Sequence, residues 1–507
     1  MSRPMRQRLL FHVAALLLAI STAPEAFSIP PQIRNSLASM QETHRKYYQE
    51  FTDDLNALIL FCEGKTLEEA VLQIRLRLVP LDTESAKLPA LPHETQEDSP
   101  LRLNSDNRYW QTQLRHHQKE YAKKLFLLSR RALKDNPSYA YQLVREAAIH
   151  DPDHRQLRKV LGFVQLGNEW MTPFAYDQIK KGNEWHEHYG WIPKNQLERI
   201  AAGERNFKGS WVSSAKENEL RRNFSDGWQI RTDHYLIKTN YSLERGVELG
   251  KSLEEFHEFF NETFASFFNT PEQMKKLFDE TARSVRLDAR PYCIHYYRSR
   301  EEYLNRLKKQ FPTIEQTNGV YMTNDRVVHF YHEPNATNEG TLFHEATHQL
   351  FFESQGQSRP IGEQAHFWII EGIACYMESF ICQNGVVTVG DPKYIRFCRA
   401  RANLLSEKNH YLPLRLFAGW GMKEFQHSPD LTKNYAQASG LARFLMHYEN
   451  GRYRESLVAQ LTSLYSGDVR VRENTKGLDL LTGVDYEELD RQYIDDSRQL
   501  ERSVMNP

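Results

Sequence analysis

The sequence predicts an α+β chain, mainly helical, with a small mixed sheet beside a histidine-bearing helix and a helical C-terminal lobe. Three observations predict it. Long stretches toward both ends carry apolar residues at the helical period. Short alternating runs cluster between residues 228 and 331, the pattern of strands with one buried face. Directly after that cluster, two histidines four residues apart and a later glutamate lie in apolar helical segments.

At 507 residues the chain can bury a sizeable core and hold several domains. A formal net charge of -1 offers nucleic acid no bulk attraction. Arg3, Arg6 and Arg8 precede the apolar run Leu9–Ile20, and Ala26-Phe27-Ser28 suits cleavage before Ile29. Residues 1–28 therefore read as a signal peptide, and the expected destination is secreted, periplasmic or at the cell envelope. The apolar run is too short for a comfortable membrane span, and no later stretch is long enough. Five cysteines, Cys62, Cys293, Cys375, Cys382 and Cys398, show no CxxC spacing. On one helix Cys375 and Cys382 would lie about 10 Å apart along the axis, too far to pair.

Residues 29–165 read as a helical N-terminal region, interrupted at 80–105 by a proline-rich, acidic linker. The DPDH turn at 151–154 resembles a tetratricopeptide boundary, but too few units are visible for a solenoid. Residues 166–223 form a Trp-rich accessory module. Trp170, Trp185, Trp191 and Trp211 recur among glycines and polar residues, which suggests aromatics anchoring a small core with little regular periodicity. A carbohydrate-binding face is the rarer use of such residues. His186 and His188 lack a second ligand pair and read as loop histidines.

The domain 224–500 opens with strands at Trp228–Arg231 and His234–Thr239, and Ser242 caps the helix that follows. Cys293–Tyr297 is another strand, and Ser299 with Glu302 opens a further helix. Asn318-Gly319 marks a turn before the hairpin Val320–Thr323 and Arg326–Tyr331. A strand beside a metal site can pair with an extended peptide, and Arg326–His332 is the candidate.

In TLFHEATHQLFFES, His344 and His348 lie one turn apart on one helix face, within reach of one ion. Glu371, in FWIIEGIACYMES, supplies a carboxylate from a second helix. Two imidazoles and one carboxylate suit one catalytic Zn2+ with its fourth position open. Glu345 stands beside the ligands as general base. Glu363, Glu353 and Glu378 compete for the third-ligand role, and Glu378 also suits a carboxylate that orients an imidazole. Gly372 and Ala374 are small enough to let the second helix approach the first. The role of His366 stays open. A hydroxyl that steadies the developing oxyanion has two candidates, Tyr435 and Tyr376.

With these residues in place the chain resembles the gluzincin metallopeptidases. More narrowly, QTNGVYMTNDRVVHF, HEATHQLFF, WIIEGIACYMES and YAQASGLARFLMHY resemble the domain of unknown function 1570 family, peptidase MA-like proteins common in exported planctomycete proteins. The resemblance spans roughly residues 225–495 and implies a gluzincin-like zinc metallopeptidase domain. It implies His344, His348 and Glu371 as ligands, Glu345 as base and Tyr435 as oxyanion donor. The carboxylate usual one turn beyond the third ligand is replaced here by Cys375. The expected function is hydrolysis of peptide or protein substrates. The alternatives are a zinc hydrolase of another amide or ester, and a non-catalytic envelope scaffold that keeps the metallopeptidase fold.

Overall fold

A computed structural model of the chain describes residues 31–78, 88–89, 91–92, 94–95, 104–279, 290–334, 339–354, 361–383, 386–407 and 409–505. The stretch 1–28, expected to be a signal peptide, and most of the expected linker at 80–105 lie outside the described residues. The architecture is mostly helical α+β, with small sheets set among helical lobes.

Three long N-terminal helices, Pro31–Gly64, Ser105–Ala132 and Pro137–His150, pack on one another through apolar stripes that bury Leu55, Leu125 and Leu143. Asn104 caps the second by accepting the Asn107 N–H at 2.8 Å, and Pro137 opens the third without leaving a donor unused. This core does not stop at the bundle. Ala265, Met274 and Phe278, far along the chain, belong to it. Polar contacts add to the join: Arg145 reaches Glu258 at 2.8 Å and Glu262 at 2.9 Å. Half-buried Glu455 accepts both the N–H and the hydroxyl of Ser138.

The Trp-rich stretch is regular, contrary to the expectation of little periodicity. Three hairpin–helix units follow one another, with hairpins Val164–Leu166/Glu169–Met171, Asn183–His186/Gly190–Pro193 and Glu204–Phe207/Ser210–Ser213. The helices after them are Pro173–Lys180, Leu197–Ala201 and Ser214–Leu220. Gly162, Gly182 and Gly203 precede the units with φ of 84°, 83° and 86°. The second and third units repeat one backbone contact, Lys194 N–H to Gly182 C=O and Ser214 N–H to Gly203 C=O. Trp170, Trp191 and Trp211 fall at equivalent places in the last strand of each hairpin. The expectation missed this because helical and strand periods alternate within each unit, so neither period runs long enough to stand out.

The main sheet has the order Gly319–Met322, Val327–Tyr331, Tyr292–Tyr297, Tyr235–Thr239, Trp228–Arg231. Its middle pairs are parallel and its outer pairs antiparallel. The strand expected to meet a peptide, Arg326–His332, is thus interior, and Gly319–Met322 is the edge. Under the sheet lie the helices Leu243–Thr263 and Glu339–Ser354, sharing a core with Ile294, Val328 and Phe330. Ser242 caps the first by accepting the Arg245 N–H at 3.0 Å. Buried Gln349 fastens the second, donating to the carbonyls of Cys293 and Arg326 at 3.3 Å each.

The helix Phe367–Met377 is buried along its whole length, and Leu431–His447 packs against it. Gly372 makes that packing possible: a Cβ there would meet the Ala438 carbonyl oxygen at 2.7 Å. Its small size therefore serves the Leu431–His447 contact rather than the approach to the histidine helix. The helices Arg454–Leu464 and Tyr486–Met505 close the C-terminal lobe. All five cysteines are free thiols. No helix among the described residues is long and apolar enough to cross a membrane.

Candidate metal centre

His344 and His348 stand one turn apart in the helix Glu339–Ser354, and Glu371 meets them from Phe367–Met377. Their facing atoms form a small triangle. His344 Nε2 and His348 Nε2 are 3.2 Å apart, and Glu371 Oε2 lies 3.5 Å from the first and 3.8 Å from the second. A tetrahedral ion with bonds of about 2.0–2.1 Å separates its ligands by about 3.4 Å. The triangle brackets that value, so these three residues fit one zinc ion. Two imidazoles in the set disfavour the all-oxygen cations calcium and magnesium.

The far side of His344 is fixed as firmly as the near side. Glu378 Oε1 lies 2.9 Å from His344 Nδ1, so an Nδ1–H donated there leaves the Nε2 lone pair facing the centre. Arg396 grips Glu378 with two nitrogens, Nη2 to Oε1 at 2.8 Å and Nε to Oε2, while the Tyr394 hydroxyl donates to Oε2 at 3.1 Å. Cys375 Sγ sits 3.9 Å from the same Nδ1. His344, Cys375 and Glu378 are close enough to hold an ion. Glu378 is already spent on Arg396, and burial followed by the Glu378 charge pushes the Cys375 thiol up, keeping it protonated.

Burial opposes charge on all three facing residues. It pulls the His344 imidazole down, yet hydrogen bonds to Cys375, Glu371 and Glu378 reverse the balance and hold it well above its ordinary value. His348 stays below its ordinary value, because burial dominates and the Glu371 charge only partly offsets it. Burial also pushes the Glu371 carboxyl up, but the His344 hydrogen bond and both imidazoles hold it low. The pocket is therefore arranged to accept positive charge beside an ionised Glu371.

The other sequence-derived candidates divide. Glu345 Oε2 accepts the Tyr321 N–H at 2.8 Å, on the edge strand. Tyr435, half-buried in Leu431–His447, lies within the fields of Glu371, His344, Cys375 and Glu345. Burial, then the Glu371 charge, pushes its phenol up, so it remains a protonated donor. Tyr376 is engaged elsewhere, 2.8 Å from His447 Nε2 and fully enclosed, which removes it as the oxyanion candidate. Glu353 accepts from Gln349 and from the Tyr321 hydroxyl, and Glu363 is exposed in a loop. Neither joins the triangle. His366 takes the left-handed position before Phe367 at φ 62°, where its ring meets Gln460.

A third group, His234, Glu254 and His257, also gathers ligand atoms. Its geometry is closed. Glu254 Oε2 is 2.6 Å from His234 Nδ1, and Oε1 accepts the His234 N–H and the Thr232 hydroxyl at 2.6 Å each. The two imidazoles stack with centroids 3.7 Å apart, so their in-plane lone pairs run side by side rather than converging. Arg396, Tyr394 and the Tyr321 amide were not legible in advance. Only the basic and aromatic character of 394–396, one helix after Glu378, hinted at the first two. No family model matches the chain, and no curated protein matches it.

Proposed function

We propose that this chain is an exported zinc-dependent peptidase of the gluzincin type, in the neighbourhood of the domain of unknown function 1570 proteins it resembles. One observation carries the reading. The His344, His348 and Glu371 triangle has the dimensions of a three-ligand zinc site, with the carboxylate of Glu345 adjacent and outside it.

When bound, zinc supplies Lewis acidity, polarising a scissile carbonyl and lowering the pKa of water to about 7. Glu345 takes a proton from the attacking water and delivers it to the leaving nitrogen. Tyr435, kept neutral by burial, donates its hydroxyl to the oxygen that gains negative charge. The edge strand Gly319–Met322 aligns an extended peptide by backbone pairing. Glu378, clamped by Arg396, keeps His344 turned toward the ion.

The test is metal content and cleavage measured together on zinc-loaded protein and its Glu345→Gln variant, against a mixed peptide library. Both proteins are expected to hold one zinc per chain, and the variant to lose about 10²–10⁴-fold in turnover. Equal cleavage by both would remove Glu345 from the reaction. Zinc held without cleavage of any peptide, ester or small amide would favour the scaffold reading.

A further inference from the structure

The edge strand and the base share one hydrogen bond, and its direction is informative. Met322 C=O accepts the Arg326 N–H at 2.9 Å across the hairpin turn, so Met322 faces its partner strand. Val320, two residues away, faces the same way, and the backbone groups of Gly319 and Tyr321 turn to the open edge. Open-edge amides are the groups an incoming strand uses. The Tyr321 amide is already taken, because it donates to Glu345 Oε2 at 2.8 Å. The approach that allows this is unusually close. A Cβ at Gly319 would meet Thr341 Cγ2 at 2.9 Å and Glu345 Cγ at 3.4 Å, so the strand lies against the helix at the base itself. The Tyr321 side chain secures the far end, with its ring on Phe352 and its hydroxyl 3.4 Å from Glu353.

We propose that the Tyr321 backbone amide is a gate on Glu345: at rest it tethers the carboxylate, and an extended peptide pairing along Gly319–Met322 takes the amide and releases the base. The gate rests on the peptidase reading for its purpose, but the tether itself does not. One N–H cannot serve a carboxylate and a peptide carbonyl at full strength together. Substrates long enough to pair with the edge therefore free the base, and shorter ones leave it held. Tyr321 acts through Glu345 and is a positioning residue.

Two measurements on the zinc-loaded chain test this. The first is amide hydrogen exchange at Tyr321, which needs no turnover. Glu345→Ala is expected to speed exchange there roughly ten- to a hundredfold while neighbouring ladder amides stay put. Unchanged exchange overturns the tether. The second compares Tyr321→Pro, which deletes the N–H without touching the ladder, with Tyr321→Ala, which keeps it. On a blocked dipeptide the proline variant should turn over about tenfold faster than the alanine variant. On an eight-residue peptide that lead should vanish, with KM raised in the proline variant. Equal kcat for the two variants on both substrates overturns the gate. If neither the wild type nor any variant cleaves a peptide, the peptidase reading fails, and exchange at Tyr321 still decides the tether. Should the proline variant not fold, exchange in Glu345→Ala remains decisive.

Discussion

Two clusters in this molecule hold the same three side chains, a pair of histidines and a glutamate, and they do opposite things. Around Glu371 the carboxylate oxygen stands 3.5 Å and 3.8 Å from the imidazole nitrogens, and those nitrogens face one another. Around Glu254 the carboxylate closes to 2.6 Å on His234, and His257 stacks face to face with it. The first leaves space at the point where lone pairs converge; the second fills that space with a hydrogen bond. The difference comes from placement. His344 and His348 share a helix face and receive Glu371 from a separate helix, whereas Glu254 reaches over to bind the turn Thr232–His234. Residue type alone does not make a metal site; convergent lone pairs with no closer partner do.

The strongest way to break this contrast is to remove a ligand. His348→Ala should weaken zinc binding on the order of a thousandfold, about a third of the ~10–16 kcal/mol typical of a zinc site. His257→Ala should leave zinc stoichiometry unchanged. Competition with a chromogenic chelator reads both, and equal losses would erase the distinction. A smaller effect sharpens it. Arg396→Gln leaves the triangle intact but loosens Glu378, and zinc affinity should fall about 10–100-fold. An unchanged affinity would mean that His344 needs no help from behind.

At the closed cluster the readout is stability instead. Glu254→Gln should cost about 1–3 kcal/mol in chemical denaturation, with metal content unaffected. The same pair predicts a pH window. Burial opposes the charge on His234, but the Glu254 hydrogen bond, the Glu254 charge and the Asp233 charge together outweigh it and raise the imidazole above 6.5. Burial likewise opposes Glu254, but the His234 hydrogen bond and charge hold its carboxyl below 4.5. The His234 contribution is therefore complete below pH 6.5 and fades as pH rises through the raised value. The Glu254 contribution is complete above pH 4.5 and fades as pH falls through the lowered value. The gap in melting temperature between wild type and Glu254→Gln should be widest near pH 5–6 and narrow toward pH 9. A gap that widens with alkali would contradict the assignment.

The helix positions of His344 and His348 were legible because four-residue spacing on a helix admits one arrangement. Glu371 was legible with competitors, and spatial proximity separated it from Glu353 and Glu363, which sequence spacing could not do. Tyr435 and Tyr376 looked alike in sequence. His447, seventy-one positions from Tyr376, occupies the Tyr376 hydroxyl, a contact no local pattern encodes. Strand existence around 228–331 was readable from alternation, but strand order was not. Whether Gly319–Met322 or Val327–Tyr331 takes the edge depends on long-range parallel pairing with Tyr292–Tyr297. The hairpin–helix repeats left a visible trace in Gly162, Gly182 and Gly203, spaced 20 and 21 residues apart, with Trp170, Trp191 and Trp211 marching alongside.

The join between the amino-terminal helices and the rest of the chain limits how this molecule can be taken apart. A chain started at residue 224 would carry Ala265, Met274 and Phe278 into water, and would leave half-buried Glu455 without Ser138 and Glu262 without Arg145. Orphaned half-buried carboxylates and freshly bared apolar surface both favour clumping over solubility. The amino-terminal helices are thus a keel for the half that carries the metal-ligand triangle, and excising that half calls for rebuilding its underside first.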